Sequence, residues 1–280
     1  LYPWITFYAK TLMNGVPEPT IYSTVPDENH PLRVAENMYI SQEYRDVILN
    51  TIVNSGLSWR RKYKYSDMGF YLLMEIVERL SGKKLDDYVQ DTFYRPMGLS
   101  TMTYNPREKF GLERIPPAEE DTVFRHQKVH GDVHDQGAAM LGGVSGHAGL
   151  FGNVYHVGTF FHMLGNYGEY AGKQYISEEV VRDFAPAQFP RNGNRRGAGF
   201  DRPVPNRGPG PTCRSVTEES FGHTGFTGIT AWTDPGADIT FVFLSNRCYP
   251  EMTNNKIIHM GVRTRIQQVM YDAVNNADTP

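Results

Sequence analysis

Two short segments carry residue types that can do chemistry: Tyr65-Ser66-Asp67 at the mouth of a strongly patterned helix, and His223-Thr224-Gly225 within a glycine-rich run before a strand. A tyrosine hydroxyl can relay a proton, but a phenol titrates near pH ~10, so it serves as a base near neutrality only when a neighbouring cation lowers its pKa. His223 is only partly cationic at neutral pH and gives a weak, pH-dependent hold on an anionic group. The glycines around it, in Gly222-His223-Thr224-Gly225-Phe226-Thr227-Gly228, let a ligand approach the strand backbone closely. Each residue also has a plainer reading from its own neighbours. Tyr65 reads as an interfacial aromatic with a bonded hydroxyl, Asp67 as a helix cap, and His223 as an edge-strand histidine touching backbone.

A nucleophile is harder to find. The one Ser-x-x-Lys spacing, Ser81-Gly82-Lys83-Lys84, falls at a helix end after Tyr65, where a C-cap glycine accounts for it. Thr253-Asn254-Asn255-Lys256 has the spacing with threonine, but it precedes a helix and reads as a cap. Ser145, in Gly143-Val144-Ser145-Gly146-His147, lacks the second glycine of a nucleophile elbow, so this loop is expected to shape a site rather than attack. His130, His134, Asp135 and His147 raise a metal as an option, but Gly131 interrupts the spacing and the glutamate of a zinc-protease helix is missing. The expectation is a structural loop with no metal and a substrate-side role for His147 or His134. The arginines at 191, 195, 196, 202, 207 and 214 are candidates for an anionic glycan or peptide carboxylate, although solvated loop charges explain them more simply.

Helices and strands must position these groups. Met68, Leu72, Ile76 and Leu80 recur at four-residue spacing, with Leu73 and Val77 beside them, predicting a helix entered at Ser66 or Asp67 and stopped at Gly82. Shorter helices are predicted over 42–52, 85–94 and 155–164. From 191 to 211, glycine, proline and arginine alternate without period, which predicts a long surface loop. Strands are predicted over 220–223, 228–233 and 239–245, the latter two joined at Asp234-Pro235-Gly236. A terminal helix is predicted over 254–273 with Ile257, Ile258, Val262, Ile266 and Met270 inward. The first 61 residues read as a connection without chemical signature. Strands flanked by a terminal helix after a helical lobe make an α+β domain.

The 280 residues suit one domain, 1–280, with a mainly helical lobe and site loops over about 60–190 and sheet strands plus terminal helix over about 195–280. With 28 basic and 31 acidic residues and a pI near 6.3, no global field favours nucleic acid or an anionic membrane. No apolar run reaches the length of a membrane span, and Leu1-Tyr2-Pro3-Trp4 does not open an export signal, which suggests a processed or truncated product. Cys213 and Cys248 are too few for a disulfide framework.

The segment YKYSDMGFYLLMEIVERLSGKKLDDYVQDTFYRPMGLSTMTYNP (63–106) resembles class C beta-lactamase-like proteins. So do HDQGAAMLGGVSGHAGLFGN (134–153), FGHTGFTGITAWTDP (221–235) and FVFLSNRCYP (241–250). The likeness is especially to bacterial members sometimes fused to a glycoside hydrolase. The family's Ser-x-x-Lys box, which holds the nucleophile, should precede Tyr65 and does not. The resemblance implies a beta-lactamase/transpeptidase-like fold, an antiparallel sheet flanked by helices plus a helical lobe, lacking its N-terminal part. It implies acyl transfer, which needs an activated hydroxyl, a proton shuttle and oxyanion donors. Tyr65 becomes the general base or relay and the backbone N–H of Phe226 an oxyanion donor. His223 stands where lysine is common, with Asp67, Thr224, Gly225 and His147 on the substrate side. No cofactor is implied. The partners implied are a small-molecule or peptidoglycan-like substrate and an upstream segment or fused domain, in an exported or periplasmic setting. This chain alone is then expected to be inactive. A non-catalytic peptidoglycan- or glycan-binding module, or an interaction domain, is the alternative from another class.

Overall fold

The computed structural model describes residues 4–57 and 63–277, organised as two compact units. The lobe boundary expected near residue 60 lies outside the described residues.

The first unit comprises the described residues of Leu1–Pro96 together with Met102–Phe151 and Tyr249–Glu251. Its elements are β1 (Leu12–Met13), β2 (Val16–Pro17), β3 (Tyr22–Ser23), β4 (Leu32–Ala35), β5 (Met38–Ile40), α1 (Tyr44–Val53), α2 (Met68–Ser81), α3 (Leu85–Val89), β6 (Pro117–Asp121), β7 (Gln127–His130) and α4 (Gln136–Ala139). β3, β5 and β4 form a small antiparallel sheet in that order, and β6 pairs with β7. The amino-terminal stretch is more than a connection: Phe7, Tyr22, Val34, Ala35, Met38, Ile40, Ile48 and Ile52 are buried in one cluster with Met68, Tyr71, Met74, Phe124 and Met140. Its strands are two to four residues long, too short for an alternating pattern to be legible.

Helix α2 starts and stops where expected. Ser66 Oγ accepts from the Met68 N–H at 3.2 Å, and Gly82 ends the helix at φ +69°, a conformation glycine adopts without strain. The buried face differs from the expected stripe. Met68, Tyr71 and Met74 are buried, whereas Leu73, Ile76 and Leu80 are 51%, 49% and 85% exposed. A four-residue step overshoots one turn by about 40°, so Leu80 lies roughly 120° around the helix from Met68. Burying each of the three inward side chains contributes about 1.5–3 kcal/mol. The Ser81-to-Lys84 spacing is the helix end itself. Lys83 pairs with Asp91 at 2.7 Å and Lys84 with Glu78 at 3.6 Å, so these lysines serve ion pairs.

The second unit comprises Met97–Thr101, Gly152–Cys248 and the described residues of Met252–Pro280. It holds α5 (Val154–Gly165), β8 (Glu169–Tyr170), β9 (Lys173–Gln174), α6 (Glu178–Phe184), β10 (Phe221–Thr224), β11 (Thr230–Asp234), β12 (Ile239–Phe243), α7 (Lys256–His259) and α8 (Val262–Ala277). β10, β11 and β12 form an antiparallel sheet with β11 central. All five residues of β11 are buried, so this strand is covered on both faces. Helix α5 packs on β11 and β12, and is capped by Asn153, whose side chain accepts from the His156 N–H.

The terminal helix is two helices, broken at Gly261 with φ +59°. Its inward residues are Gln267 and Tyr271, while Ile258 and Ile266 are 47% and 41% exposed. Tyr271 clusters with Cys213 and Val216, and its hydroxyl donates to Asp234 at 2.7 Å. Cys213 and Cys248 are both buried and free. Among the described residues no helix is long and apolar enough to cross a membrane.

Candidate active site

In the first unit, Tyr65 stands just ahead of α2 with 44% of its surface exposed. The helix start beneath it is held by the loop through Ser145, Gly146 and His147. A Cβ at Gly146 would lie 2.4 Å from the Phe70 carbonyl oxygen, so only glycine lets this loop sit on the first turn of α2. At the next residue of the helix, the His147 ring stacks on Tyr71, centroids 4.4 Å apart. The expected cost of Gly146→Ala is about 1–3 kcal/mol, read by urea denaturation; an unchanged midpoint would show that the loop yields without loss.

His147 also joins two residues that the sequence analysis weighed separately. Its Nδ1 lies 2.9 Å from Ser145 Oγ and its Nε2 3.0 Å from Asp135 Oδ1. A carboxylate only accepts, so Nε2 donates to it, and in the neutral ring Nδ1 accepts the serine proton. This serine–histidine–aspartate chain has the spacing of a nucleophile and its base, but Ser145 is only 1% exposed and no substrate reaches it. The chain therefore positions the loop. Asp135 also caps α4, accepting from the Ala138 N–H at 2.8 Å. Burial pushes its pKa up, yet the His147 hydrogen bond and charge, with the Ala138 N–H, hold it below the usual carboxylate range. Tyr71 titrates well above an ordinary phenol because it is buried and because Asp135 and Asp67 stand near it.

Behind this loop lies a buried charge cluster that the sequence analysis did not single out. The Arg125 side chain is 0% exposed and pairs with Glu119 and Asp121, each at 2.7 Å. It also donates to the carbonyls of Val133 and His134, at 2.7 and 2.8 Å, fixing the chain just before Asp135. The only trace in the sequence was the i,i+4 spacing of Asp121 and Arg125. The other histidines of the metal option have protein partners: His130 Nε2 lies 2.6 Å from the Ile115 carbonyl and His134 Nε2 3.3 Å from Glu119.

In the second unit, His223 and Thr224 occupy β10, an edge of the sheet, and Gly225 and Phe226 lie in the turn that follows. A Cβ at Gly222 would lie 2.2 Å from the Ala231 carbonyl oxygen, so this position accepts no side chain. The turn is tied by Gly225 N–H to Ile229 O at 2.9 Å and Gly228 N–H to Gly225 O at 3.1 Å. Arg247, only 8% exposed, then fixes Phe226. Its Nε donates to the Phe226 carbonyl at 2.7 Å, and its guanidinium lies 4.3 Å from the ring centroid. Phe226 is 61% exposed, and its carbonyl and ring are held by a buried arginine. Arg247 is a further residue the sequence analysis missed.

His223 Nδ1 lies 2.7 Å from the Thr224 carbonyl and Nε2 lies 2.6 Å from Arg196 Nη1. Arg196 comes from the stretch expected as a solvated loop, which is tied to the sheet edge by the backbone bridge between Asp201 and Gly222. Asp201 is 2% exposed and carries Arg195 and Arg196, so these two arginines are structural partners rather than solvated charges.

The sequence profile of the Beta-lactamase family matches residues 22–259. This chain belongs to that family. Among curated relatives, it is 32% identical over 236 residues to an Escherichia coli (strain K12) protein provisionally named a D-alanyl-D-alanine carboxypeptidase, covering 79% of this chain and 54% of the relative. It is 30% identical over 232 residues to the N-acetylmuramyl-L-alanine amidase of Bacillus subtilis (strain 168), covering 75% and 50%. The chain thus spans about half the length of these curated relatives. Among solved structures, a penicillin-binding protein homologue from Caulobacter crescentus superposes with a TM-score of 0.54 at 18% identity, over 72% of this chain and 58% of that one. That likeness supports the beta-lactamase/transpeptidase-type α+β fold. Within the beta-lactamase family frame, the Tyr65 box falls in the first unit and the His223 box in the second.

Proposed function

We propose that the chain carries the proton-relay and oxyanion-side residues of a serine hydrolase that works through an acyl-enzyme on peptidoglycan-like amide or ester substrates outside the cytoplasm. In this reading a serine and lysine upstream of residue 1 complete the site, joined covalently or supplied as a second fragment. The serine Oγ bonds to the substrate carbonyl carbon, and its proton passes by way of Tyr65 and the lysine to the leaving amine or alcohol. Water then attacks the ester and the serine recovers its proton. The developing oxyanion is met by the Phe226 N–H and the N–H of the serine.

The observation that carries the proposal is the turn at 225–228. The peptide that carries the Phe226 N–H is held at its other end, where Gly225 O accepts from the Gly228 N–H at 3.1 Å, and Arg247 grips the following carbonyl and the Phe226 ring, so the turn is ordered before any ligand arrives. Such preorganised donors supply about 3–4 kcal/mol of transition-state stabilisation in acyl transfer. The substrate class is supported by the names of the two curated relatives, one of which refers to D-alanyl-D-alanine and the other to N-acetylmuramyl-L-alanine.

The test is covalent labelling with a fluorescent penicillin and with a fluorophosphonate, read by intact mass and peptide mapping. The expected result is no adduct on residues 1–280 alone, and one adduct per molecule on a longer form carrying an upstream Ser-x-x-Lys. An adduct on a serine within the 280 residues would replace the proposed nucleophile. No adduct on the longer form would remove the acyl-enzyme reading.

A further inference from the structure

We propose that the Thr227 backbone N–H is a further oxyanion donor, turned to the same side of the 225–228 turn as the N–H of Phe226 by the two carbonyls that Arg247 holds. Its part in catalysis rests on the acyl-transfer reading given under Proposed function; the direction of the N–H does not.

Every carbonyl of the turn is engaged inside the second unit. Gly225 O accepts from the Gly228 N–H at 3.1 Å, Phe226 O from Arg247 Nε at 2.7 Å, Thr227 O from the Arg247 N–H at 2.7 Å and Gly228 O from Ser245 Oγ at 2.8 Å. Ile229 O, just beyond, takes the Gly225 N–H at 2.9 Å and Arg263 Nη1 at 3.1 Å. A trans peptide sets its N–H opposite its C=O. Phe226 O faces Arg247, a buried residue, so the N–H of the same peptide, that of Thr227, points away from it. Among the described residues this N–H has no acceptor, and Thr227 is half-buried rather than enclosed. A backbone donor left open in this way takes its partner from solvent or a ligand.

The form of the turn sets two donors side by side. It closes with the Gly228 N–H on Gly225 O, and neither Phe226 nor Thr227 has a positive φ, which makes it a type I turn. The two central residues then have helix-like dihedrals, and their N–H groups point to one end, as in the first turn of a helix. Successive N–H groups of this kind form a concavity that receives an anionic oxygen. Arg247 holds the arrangement firmly, because its Nη1 also donates to Met252 O at 2.6 Å and to Asn254 O and Asn255 Oδ1, each at 3.1 Å. The guanidinium therefore leaves Phe226 only by breaking these bonds as well. Arg247 has no carboxylate partner among the described residues, so its charge is spent on backbone oxygens. A cation on Phe226 O polarises the peptide whose N–H belongs to Thr227 and strengthens that N–H as a donor.

The experiment has three arms. In the 280-residue chain, amide hydrogen exchange followed by NMR is expected to be faster at Thr227 than at the hydrogen-bonded Gly225 and Gly228; equal protection would overturn the geometry. The longer form carrying an upstream Ser-x-x-Lys is then labelled with a fluorophosphonate, so that a phosphonyl oxygen stands where the oxyanion would form. The expected result is a downfield shift of the Thr227 amide proton along with that of Phe226. An adduct that leaves Thr227 unmoved would overturn this proposal and spare the acyl-enzyme reading, whereas the absence of any adduct would overturn both. In the third arm the longer form carries a backbone ester at 227, made with the α-hydroxy acid of valine and compared with Thr227→Val, which has the same side chain and keeps the N–H. Loss of one oxyanion donor predicts a kcat about 10²–10³-fold lower on a chromogenic ester with KM unchanged. Equal kcat values would overturn the donor role. So would a loss that came with a raised KM and a lower unfolding midpoint, because it would trace to a loosened Phe226 carbonyl.

Discussion

Replacing Arg125 with alanine is expected to cost about 3–5 kcal/mol of folding stability, because it leaves buried carboxylates without their counter-charge. Glu119, Asp121 and Arg125 are 3%, 3% and 4% exposed, so water has little access to compensate. Two loop carbonyls lose their donor as well, and the segment that presents Asp135 to His147 is released. The triple change Glu119→Gln, Asp121→Asn, Arg125→Met is expected to cost less than the single one, since it removes the stranded charges. Chemical denaturation at pH 7 measures both. A single-variant loss below about 1 kcal/mol would mean that the cluster opens to solvent when the arginine goes.

The same cluster sets the acid limit of the fold. Burial raises the Asp121 pKa, but Arg125 and the N–H groups of Phe124 and Val123 outweigh it and hold the carboxyl below its usual value. Asp135 is depressed likewise through His147. A depressed folded pKa contributes stability that is fully present above the unfolded value, near pH ~4, and lost as pH falls through the folded value. Stability should therefore hold down to about pH 5 and decline below pH ~4, and Arg125→Ala should lose the Asp121 share of that decline.

Tyr65→Phe should leave the fold and substrate affinity nearly unchanged while lowering kcat by about 10²–10⁴-fold, the range for removing a positioned proton-transfer group. The hydroxyl stands on a side chain that is 44% exposed and outside the buried face of α2, so stability has little stake in it. Steady-state hydrolysis of a chromogenic ester by a form that labels with penicillin gives the answer. A kcat drop under about tenfold would disqualify Tyr65 as the relay. A change confined to KM would favour a binding module.

What the sequence made legible follows from the range over which each signal acts. The limits of α2 were visible because caps are local: Ser66 and Gly82 sit within two residues of the helix they bound. Its buried face was not, because Tyr71 looked less apolar than Ile76 and Leu80, and only packing decides between them. The amino-terminal strands were missed because two to four residues cannot show a period. Tyr65, Asp67 and the 222–228 run were singled out through the resemblance to class C beta-lactamase-like proteins. The groups that hold them were not: Arg247 reaches Phe226 across 21 positions and Arg196 reaches His223 across 27. Their partners are backbone carbonyls and ring nitrogens, which leave no pattern in a string of residue types.

The interleaving of the two units bears on how the protein is made. The first unit is completed by Tyr249–Glu251, where the Glu120 N–H donates to Pro250 O at 3.0 Å, although nearly a hundred residues of the second unit come between. A ribosome emits the chain in order and domains tend to fold as they emerge. Here the first unit must wait, its β6 edge unfinished, until all of its neighbour but Met252–Pro280 has been synthesised. Neither unit corresponds to one contiguous stretch of gene, so no single cut separates the two.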